Sequence, residues 1–177
     1  MKIVKALQSL NELDKKGRYV YTSKDLGTVF SEDRRSTFLA GLNRLVKYGI
    51  LQRATRGVYI FAYSRNRGAD TVDLIAKSLR RGHYNYISLE SALSLYGAIS
   101  QVPIDRLTVM TTGREGEFAT PFGVIEFTHT KRSKTEIVEN IRNMDRPLRV
   151  AKRVIALRDL KRVGRNIHLV NEQMMHE

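Results

Sequence analysis

Within the first fifty residues, apolar residues recur at helical spacing in separate stretches. From residue 50 to residue 63 they alternate with polar residues instead. Between residues 3 and 13 they recur every three or four positions, which predicts an amphipathic helix. Tyr19–Tyr21 predicts a short extended segment. Thr22, with Asp25 three residues later, matches a capping box, which predicts a brief second helix ending near Phe30.

A third helix is predicted to begin at Ser31, where a hydroxyl suits the N-cap position. Its buried stripe would consist of residues at i, i+4, i+7 and i+8: Phe38, Leu42, Leu45 and Val46. Gly49 follows as the left-handed residue that commonly ends a helix.

Two short strands follow the third helix. Ile50–Arg53 and Val58–Tyr63 are joined by the turn Ala54–Gly57, which predicts a hairpin with a basic tip. Short helix, turn, longer helix and hairpin, in that order, are typical of a winged helix-turn-helix. In such a domain the second helix of the motif enters the DNA major groove, led by its first residues.

The candidate DNA-binding residues follow from that interpretation. Arginine can bind guanine through two hydrogen bonds, and serine or threonine can reach bases or phosphate. The residues expected to read bases are Arg34, Arg35, Ser36 and Thr37; those expected on the DNA backbone are Asn43, Arg44 and Lys47; those acting from the hairpin are Arg53, Thr55 and Arg56. Two alternatives stay open: a solvated basic helix beside a structural hairpin, or a winged helix that docks proteins.

The polar stretch Ser64–Gly68 predicts a domain boundary, giving domains 1–66 and 67–177. In the second domain, helices are predicted over Thr71–Leu79 and Leu89–Tyr96. Three strands of one antiparallel meander are predicted at residues 106–112, 117–120 and 124–130. Two more helices are predicted, from a Ser133 cap to about Met144 and from about Leu148 to Leu160. The expected fold class is therefore α+β: a winged helix-turn-helix followed by an α+β domain with a small antiparallel sheet.

Charge strengthens the nucleic-acid interpretation. The chain has 31 Lys and Arg against 18 Asp and Glu, a formal net charge of +13. The first 66 residues hold 13 basic and 5 acidic residues, and the remaining 111 hold 18 and 13. A basic surface attracts phosphate backbones through counterion release, although anionic membranes or acidic proteins would also be attracted.

A second basic concentration lies between Arg142 and Arg165, with nine Lys or Arg against two Asp. Its candidate members are Arg149, Lys152, Arg153, Arg158, Lys161 and Arg162, and the first three of these would lie largely outside an apolar helical stripe. They would form either an ordinary polar outer face or a second electropositive surface for RNA, DNA or an acidic partner.

Signals for catalysis are weak. The chain has no cysteine, which excludes disulfides and thiolate metal sites and suits a reducing cytoplasm. Its four histidines lack metal-ligand spacing, so we expect no metal, no cofactor and no enzyme. Glu115, Glu117 and Glu126 could crowd at a sheet edge like the carboxylates of a nuclease, but no Asp/Glu-x-Lys pair accompanies them. No membrane span or signal peptide is expected.

Several blocks resemble the AbiEi family, the antitoxins of type IV toxin–antitoxin systems. They are GILQRATRGVYIF at the hairpin, YISLESALSLYGAISQVP at residues 86–103, and LTVMTTGREGEFATPFGVIEFTH followed by LRVAKRVIALRDLKRVGR. The likeness spans nearly the whole chain. One departure is Ala151-Lys152-Arg153-Val154, where the family often has a Ser-Pro-Glu-type stretch, which makes this segment more basic.

That resemblance implies a cytoplasmic bacterial antitoxin with two roles. The first domain would bind inverted repeats in its own promoter and repress the operon, and self-association on that DNA stays open. The second would counter a nucleotidyltransferase-like toxin, with or without direct contact. The main alternative is a winged-helix transcriptional regulator without a toxin partner. Further alternatives are a nucleic-acid-processing enzyme and a binder of membrane surfaces or acidic proteins.

Overall fold

The structure, a computed structural model, describes residues 2–100 and 105–175. It is a mixed helix and strand protein, with one antiparallel sheet and one mixed sheet. Contacts between Cα atoms divide the chain into two compact units, residues 1–71 and 72–177. The boundary predicted after residue 66 lies just before this division.

The first unit contains three helices and three strands. In chain order they are α1 (Ile3–Lys15), β1 (Val20–Thr22), α2 (Ser23–Val29), α3 (Arg35–Lys47), β2 (Leu51–Thr55) and β3 (Val58–Phe61). The strands form an antiparallel sheet in the order β1-β3-β2. The predicted capping box is confirmed, because the Thr22 hydroxyl accepts from the Asp25 amide at 3.1 Å and the Asp25 carboxylate accepts from the Thr22 amide at 2.8 Å.

Two predictions for this unit were wrong in detail. Helix α3 begins at Arg35, not near Ser31, because the Asp33 amide donates to the Phe30 carbonyl at 3.0 Å and closes a turn directly after α2. Arg34 therefore occupies the extended N-cap position. Thr55 belongs to strand β2 rather than to the turn.

The hairpin tip is short for a conformational reason. Gly57 has a φ of +78°, which lets the chain reverse within two residues and leaves Arg56 at the tip. A bulge between Arg53 and Thr55 shifts the register of β2 on β3.

The second unit packs helices against a six-stranded sheet. Its elements are α4 (Thr71–Leu79), β4 (Asn85–Ile87), α5 (Leu89–Leu95), β5 (Arg106–Thr111), β6 (Gly116–Thr120), β7 (Gly123–His129), α6 (Lys134–Asn140), β8 (Ile141–Arg142), β9 (Arg149–Ala151), α7 (Arg153–Val163) and two short 3₁₀ turns, Ile167–Leu169 and Glu172–Met175. The strand order is β6-β7-β5-β4-β9-β8. Helix α4 matches its predicted bounds.

The predicted antiparallel meander was wrong. Strand β7 lies between β5 and β6 and runs parallel to β5, and β4 is parallel to β9. The burial of the strands explains this order, because Ile125 and Phe127 of β7 are almost completely buried, whereas most of β6 is exposed, as suits an edge strand. The sheet is therefore larger than predicted, and it is mixed rather than antiparallel.

The last two helix predictions were also wrong in extent. Helix α6 ends at Asn140, because Ile141 and Arg142 pair with β9. Arg149–Ala151 form a strand, and α7 starts only at Arg153. Val150 and Ala151 fitted a helical stripe in the sequence, but a short apolar run fits a buried strand equally well. No helix in the described part of the chain is both long and apolar enough to cross a membrane.

Candidate nucleic-acid interface

Helix α3 has one buried face and one exposed face. Leu42 and Leu45 are 2% and 0% exposed and fix the helix to the core of the first unit. Residues three and four apart share a helix face. The residues opposite the buried face therefore form a continuous exposed stripe, here called the α3 stripe: Arg35, Ser36, Leu39, Ala40, Asn43, Arg44 and Lys47.

The α3 stripe contains two residues that sequence reasoning missed. Leu39 is 49% exposed although it is apolar, and Ala40 is exposed beside it. Both lie between the polar residues of the first and last turns. The signal was present in the sequence, since neither position falls on the predicted buried stripe. Small apolar side chains in a major groove can contact the methyl group of thymine.

The start of α3 separates the four residues predicted to read bases. Arg34 is the exposed N-cap and makes no side-chain capping bond. Arg35 and Ser36 begin the α3 stripe. Thr37 is exposed on a different side of the helix from Arg35, but it lies three residues before Ala40 and therefore borders the opposite edge of the α3 stripe. The first backbone N–H groups of a helix lack intrahelical acceptors, which favours anions at this end.

The hairpin is attached to the start of α2. The Ser23 amide donates to the Gly57 carbonyl at 2.9 Å, which fixes the turn that carries Arg56. Arg53 and Arg56 are exposed, whereas Thr55 is half-buried. The two arginines are therefore better placed than Thr55 to meet a ligand.

Most cations of these two elements are not engaged within the unit. No carboxylate among the described side chains pairs with Arg34, Arg35, Lys47, Arg53 or Arg56. These charges belong to two separate elements, helix α3 with its N-cap and the hairpin, and the fold exposes all of them. A polyanion could therefore bind these five cations without first breaking an ion pair with a described carboxylate.

The second predicted basic surface is divided by the fold. Lys152, Arg153 and Arg158 line a pocket of about 490 Å³, together with Arg142 and Tyr96, which sequence reasoning did not select. The other three predicted members do not line it. Arg149 is exposed on β9, Lys161 is exposed on α7, and Arg162 donates to the His129 carbonyl at 3.2 Å.

Arginines form ion pairs with two of the three glutamates that could crowd at a sheet edge. Glu117 and Glu126 are directly opposite each other on β6 and β7, and both accept from Arg106, at 2.6 and 2.8 Å. Arg165 binds the other oxygen of Glu126 at 2.8 Å. No three His, Asp or Glu residues among those described are arranged to hold a metal ion.

Comparison with known proteins indicates a shared fold only. No protein-family model matches the chain, and no curated protein matches it significantly in sequence. The crystal structure of the RV2827C protein from Mycobacterium tuberculosis is similar, with a TM-score of 0.51 and 14% sequence identity. The match covers 77% of this chain and 48% of that one, so this chain spans about half the length of that protein.

Proposed function

We propose that the chain is a sequence-specific DNA-binding repressor whose first unit is a winged helix-turn-helix. The order of its helices and strands, with β1 beside β3, suits that architecture. The observation that carries the proposal is the α3 stripe, a solvent-facing helix surface with cations at both ends and apolar residues between them. A helix of this kind fits the width of the major groove.

The proposed roles follow from position on the two elements. Arg35 would bind guanine through its two-pronged guanidinium, and Ala40 would contact a thymine methyl group. Asn43, Arg44 and Lys47 would bind along the groove wall and the phosphates. Arg53 and Arg56 of the hairpin would bind phosphates, a contact that adds affinity without sequence preference.

A binding titration tests the DNA-binding proposal. The full-length protein is titrated into a labelled duplex from upstream of its own gene and, separately, into a shuffled duplex of the same length and composition. At physiological salt we expect the upstream duplex to bind at least about a thousandfold more tightly. Equal affinity for the two duplexes would overturn the repressor proposal, whatever the absolute affinity.

We further propose that the second unit counters a nucleotidyltransferase-like toxin. This part rests on the resemblance to the AbiEi family, whose block LTVMTTGREGEFATPFGVIEFTH forms β5, β6 and β7 here. Co-expression with the neighbouring gene should restore growth of cells that express that gene alone. An Arg35→Ala variant should restore growth equally well, because its change lies outside the second unit. Lack of rescue by both proteins would favour the regulator without a toxin partner.

A further inference from the structure

A basic pocket lies in the second unit at the start of α7. Its volume is about 490 Å³, within the range of small-molecule sites. The residues that line it are Tyr96, Asn140, Arg142, Lys152, Arg153, Val154, Ile155 and Arg158. Four of them are cations, and no carboxylate among the described side chains lines the pocket. We call this set of residues the α7 pocket.

Strand pairing assembles the α7 pocket from distant parts of the sequence. Arg142 pairs with Val150, which brings β8 beside the chain that enters α7. The Lys152 amide donates to the Asn140 carbonyl at 2.8 Å and holds that entry in place. Val154 and Arg158 are four residues apart and share a face of α7. Val154 is 60% exposed, so the pocket has an apolar edge as well as a charged wall.

Tyr96 orders two of the cations. Its hydroxyl donates to the Ala151 carbonyl at 2.9 Å, which fixes the ring. The guanidinium carbons of Arg142 and Arg153 lie 5.8 and 5.4 Å from the ring centroid, within cation–π range. Arg153 also donates to the Met174 carbonyl. These contacts hold the arginines near one another without neutralising them.

The charge of the α7 pocket selects a compact polyanion. Among the side chains that the structure describes, no ion pair involves Arg142, Lys152 or Arg158. Like charges gathered in a concave site repel one another, and a multiply charged anion relieves that repulsion. One arginine can donate two parallel hydrogen bonds to two oxygens of a phosphate group. A lysine ammonium attracts the same group as a compact positive charge.

We propose that the α7 pocket binds the di- or triphosphate group of a nucleotide, either free or at the 5′ end of an RNA. Four cations match the charge of such a group, and the pocket's concave shape suits a terminal group better than the side of a duplex. The exposed side chain of Val154 provides apolar surface for the attached nucleoside. This site is independent of the α3 stripe and of the proposed repressor function.

Calorimetric titration of the full-length protein tests the proposal. The probes are inorganic triphosphate, ATP, and one short RNA prepared with a 5′-triphosphate or with a 5′-hydroxyl. We expect triphosphate to bind, and Arg158→Gln and Lys152→Gln each to weaken that binding about tenfold, as for a lost hydrogen bond to a charged group. Lys161→Gln is the matched control, because it removes the same charge from the same helix outside the pocket lining.

The pattern of binding among these probes distinguishes the possible sources of the phosphate group. Binding of ATP but of neither RNA identifies free nucleotide as the source of the phosphate, and a preference for triphosphorylated over hydroxyl RNA identifies an RNA end. The proposal is wrong if triphosphate, ATP and the triphosphorylated RNA all fail to bind, or if all three glutamine variants weaken binding equally. It is also wrong if Arg158→Gln weakens upstream-duplex binding as much as triphosphate binding, which would assign the pocket to a DNA surface.

Discussion

The two units differ in how many of their arginines bind carboxylates. In the first unit, Arg34, Arg35, Arg53 and Arg56 are exposed and bind no carboxylate among the described residues. In the second unit, four arginines hold carboxylates: Arg106, Arg132, Arg146 and Arg165. Both units are basic by composition, so net charge alone does not locate a binding surface. A binding surface is located instead by the exposed cations that form no ion pair with a described carboxylate.

Buried carboxylates explain the difference. Asp73 and Asp159 have completely buried side chains, and an unpaired buried charge is costly. Arg146 binds Asp73 at 2.6 Å and Arg132 binds Asp159 at 2.5 Å. In the first unit the buried carboxylate of Asp14 accepts hydrogen bonds from Ser64 and Asn66 instead. Because neutral groups satisfy Asp14, it needs no arginine as a partner, and the four arginines named above stay exposed at the surface of the first unit.

The largest effect should come from Asp159→Ala. Asp159 accepts from Arg132 and, at 2.7 Å, from the buried hydroxyl of Ser88, and Arg132 also donates to the Tyr86 hydroxyl at 3.1 Å. Removing the carboxylate leaves a partly buried guanidinium without its counter-charge. We expect the free energy of unfolding to fall by about 3–5 kcal/mol, measured by denaturant titration.

The matched control for that change is Glu139→Ala, an exposed carboxylate on α6. It should alter the free energy of unfolding by less than about 0.5 kcal/mol. If the two variants have the same free energy of unfolding, the ion pair of Asp159 does not stabilise the second unit. Pairing with buried carboxylates would then not explain why the two units differ in their arginines.

Arg35→Ala should have the largest effect on DNA binding. Losing a bidentate contact to guanine should weaken binding to the upstream duplex by about 1–3 kcal/mol and relax the preference at one base pair. Arg35→Lys should keep part of the affinity but lose the base preference, because an ammonium cannot form the two-pronged contact. Anisotropy titrations against a set of single-base variants of the duplex measure both effects.

Arg18→Ala serves as the control for Arg35→Ala. Arg18 is an exposed arginine of the first unit that belongs neither to the α3 stripe nor to the hairpin. Its removal should leave base preference unchanged. If Arg18→Ala and Arg35→Ala lower affinity equally at every base, the first unit binds DNA by general charge and does not read sequence.

Sequence patterns predicted the first unit better than the second, and contact distance explains why. The capping box, the α3 stripe and the hairpin depend on residues close in sequence, such as Thr22 with Asp25. The sheet of the second unit depends on pairings such as Tyr86 with Arg149, which lie far apart in sequence. The α7 pocket was found only in part for the same reason, since Arg142 reaches it by pairing with Val150 and Tyr96 reaches it by a hydrogen bond to the Ala151 carbonyl.

A smaller, pH-dependent effect is expected for Glu90→Gln. Burial raises the pKa of Glu90, but hydrogen bonds from Arg165 at 2.7 Å and Asn166 at 2.9 Å outweigh burial and hold the pKa below its ordinary value. Glu90 therefore contributes stability above the ordinary pKa of about 4.3, and that contribution is lost as the pH falls through the folded-state pKa.

The Glu90→Gln variant should lose about 1.5 kcal/mol of unfolding free energy at pH 7. The difference from the unsubstituted protein should shrink once the pH falls below the ordinary pKa of about 4.3, and it should disappear only below the lowered folded-state pKa, where the carboxyl is protonated in both states. Urea titrations at several pH values measure it, and Glu139→Gln, on the exposed surface, is the control. A difference that stays constant down to pH 2 would contradict the ion-pair role.

The smallest effect belongs to Arg56→Ala at the hairpin tip. A phosphate contact from this exposed residue should contribute less than about 1 kcal/mol at physiological salt, equally for upstream and shuffled duplexes. Its signature is the salt dependence, because each phosphate contact adds about 0.9 to the slope of log affinity against log salt. Arg56→Ala should flatten that slope by about 1, whereas Arg18→Ala should leave it unchanged. An unchanged slope in Arg56→Ala would remove the hairpin tip from the interface and leave the α3 stripe as the DNA-binding surface.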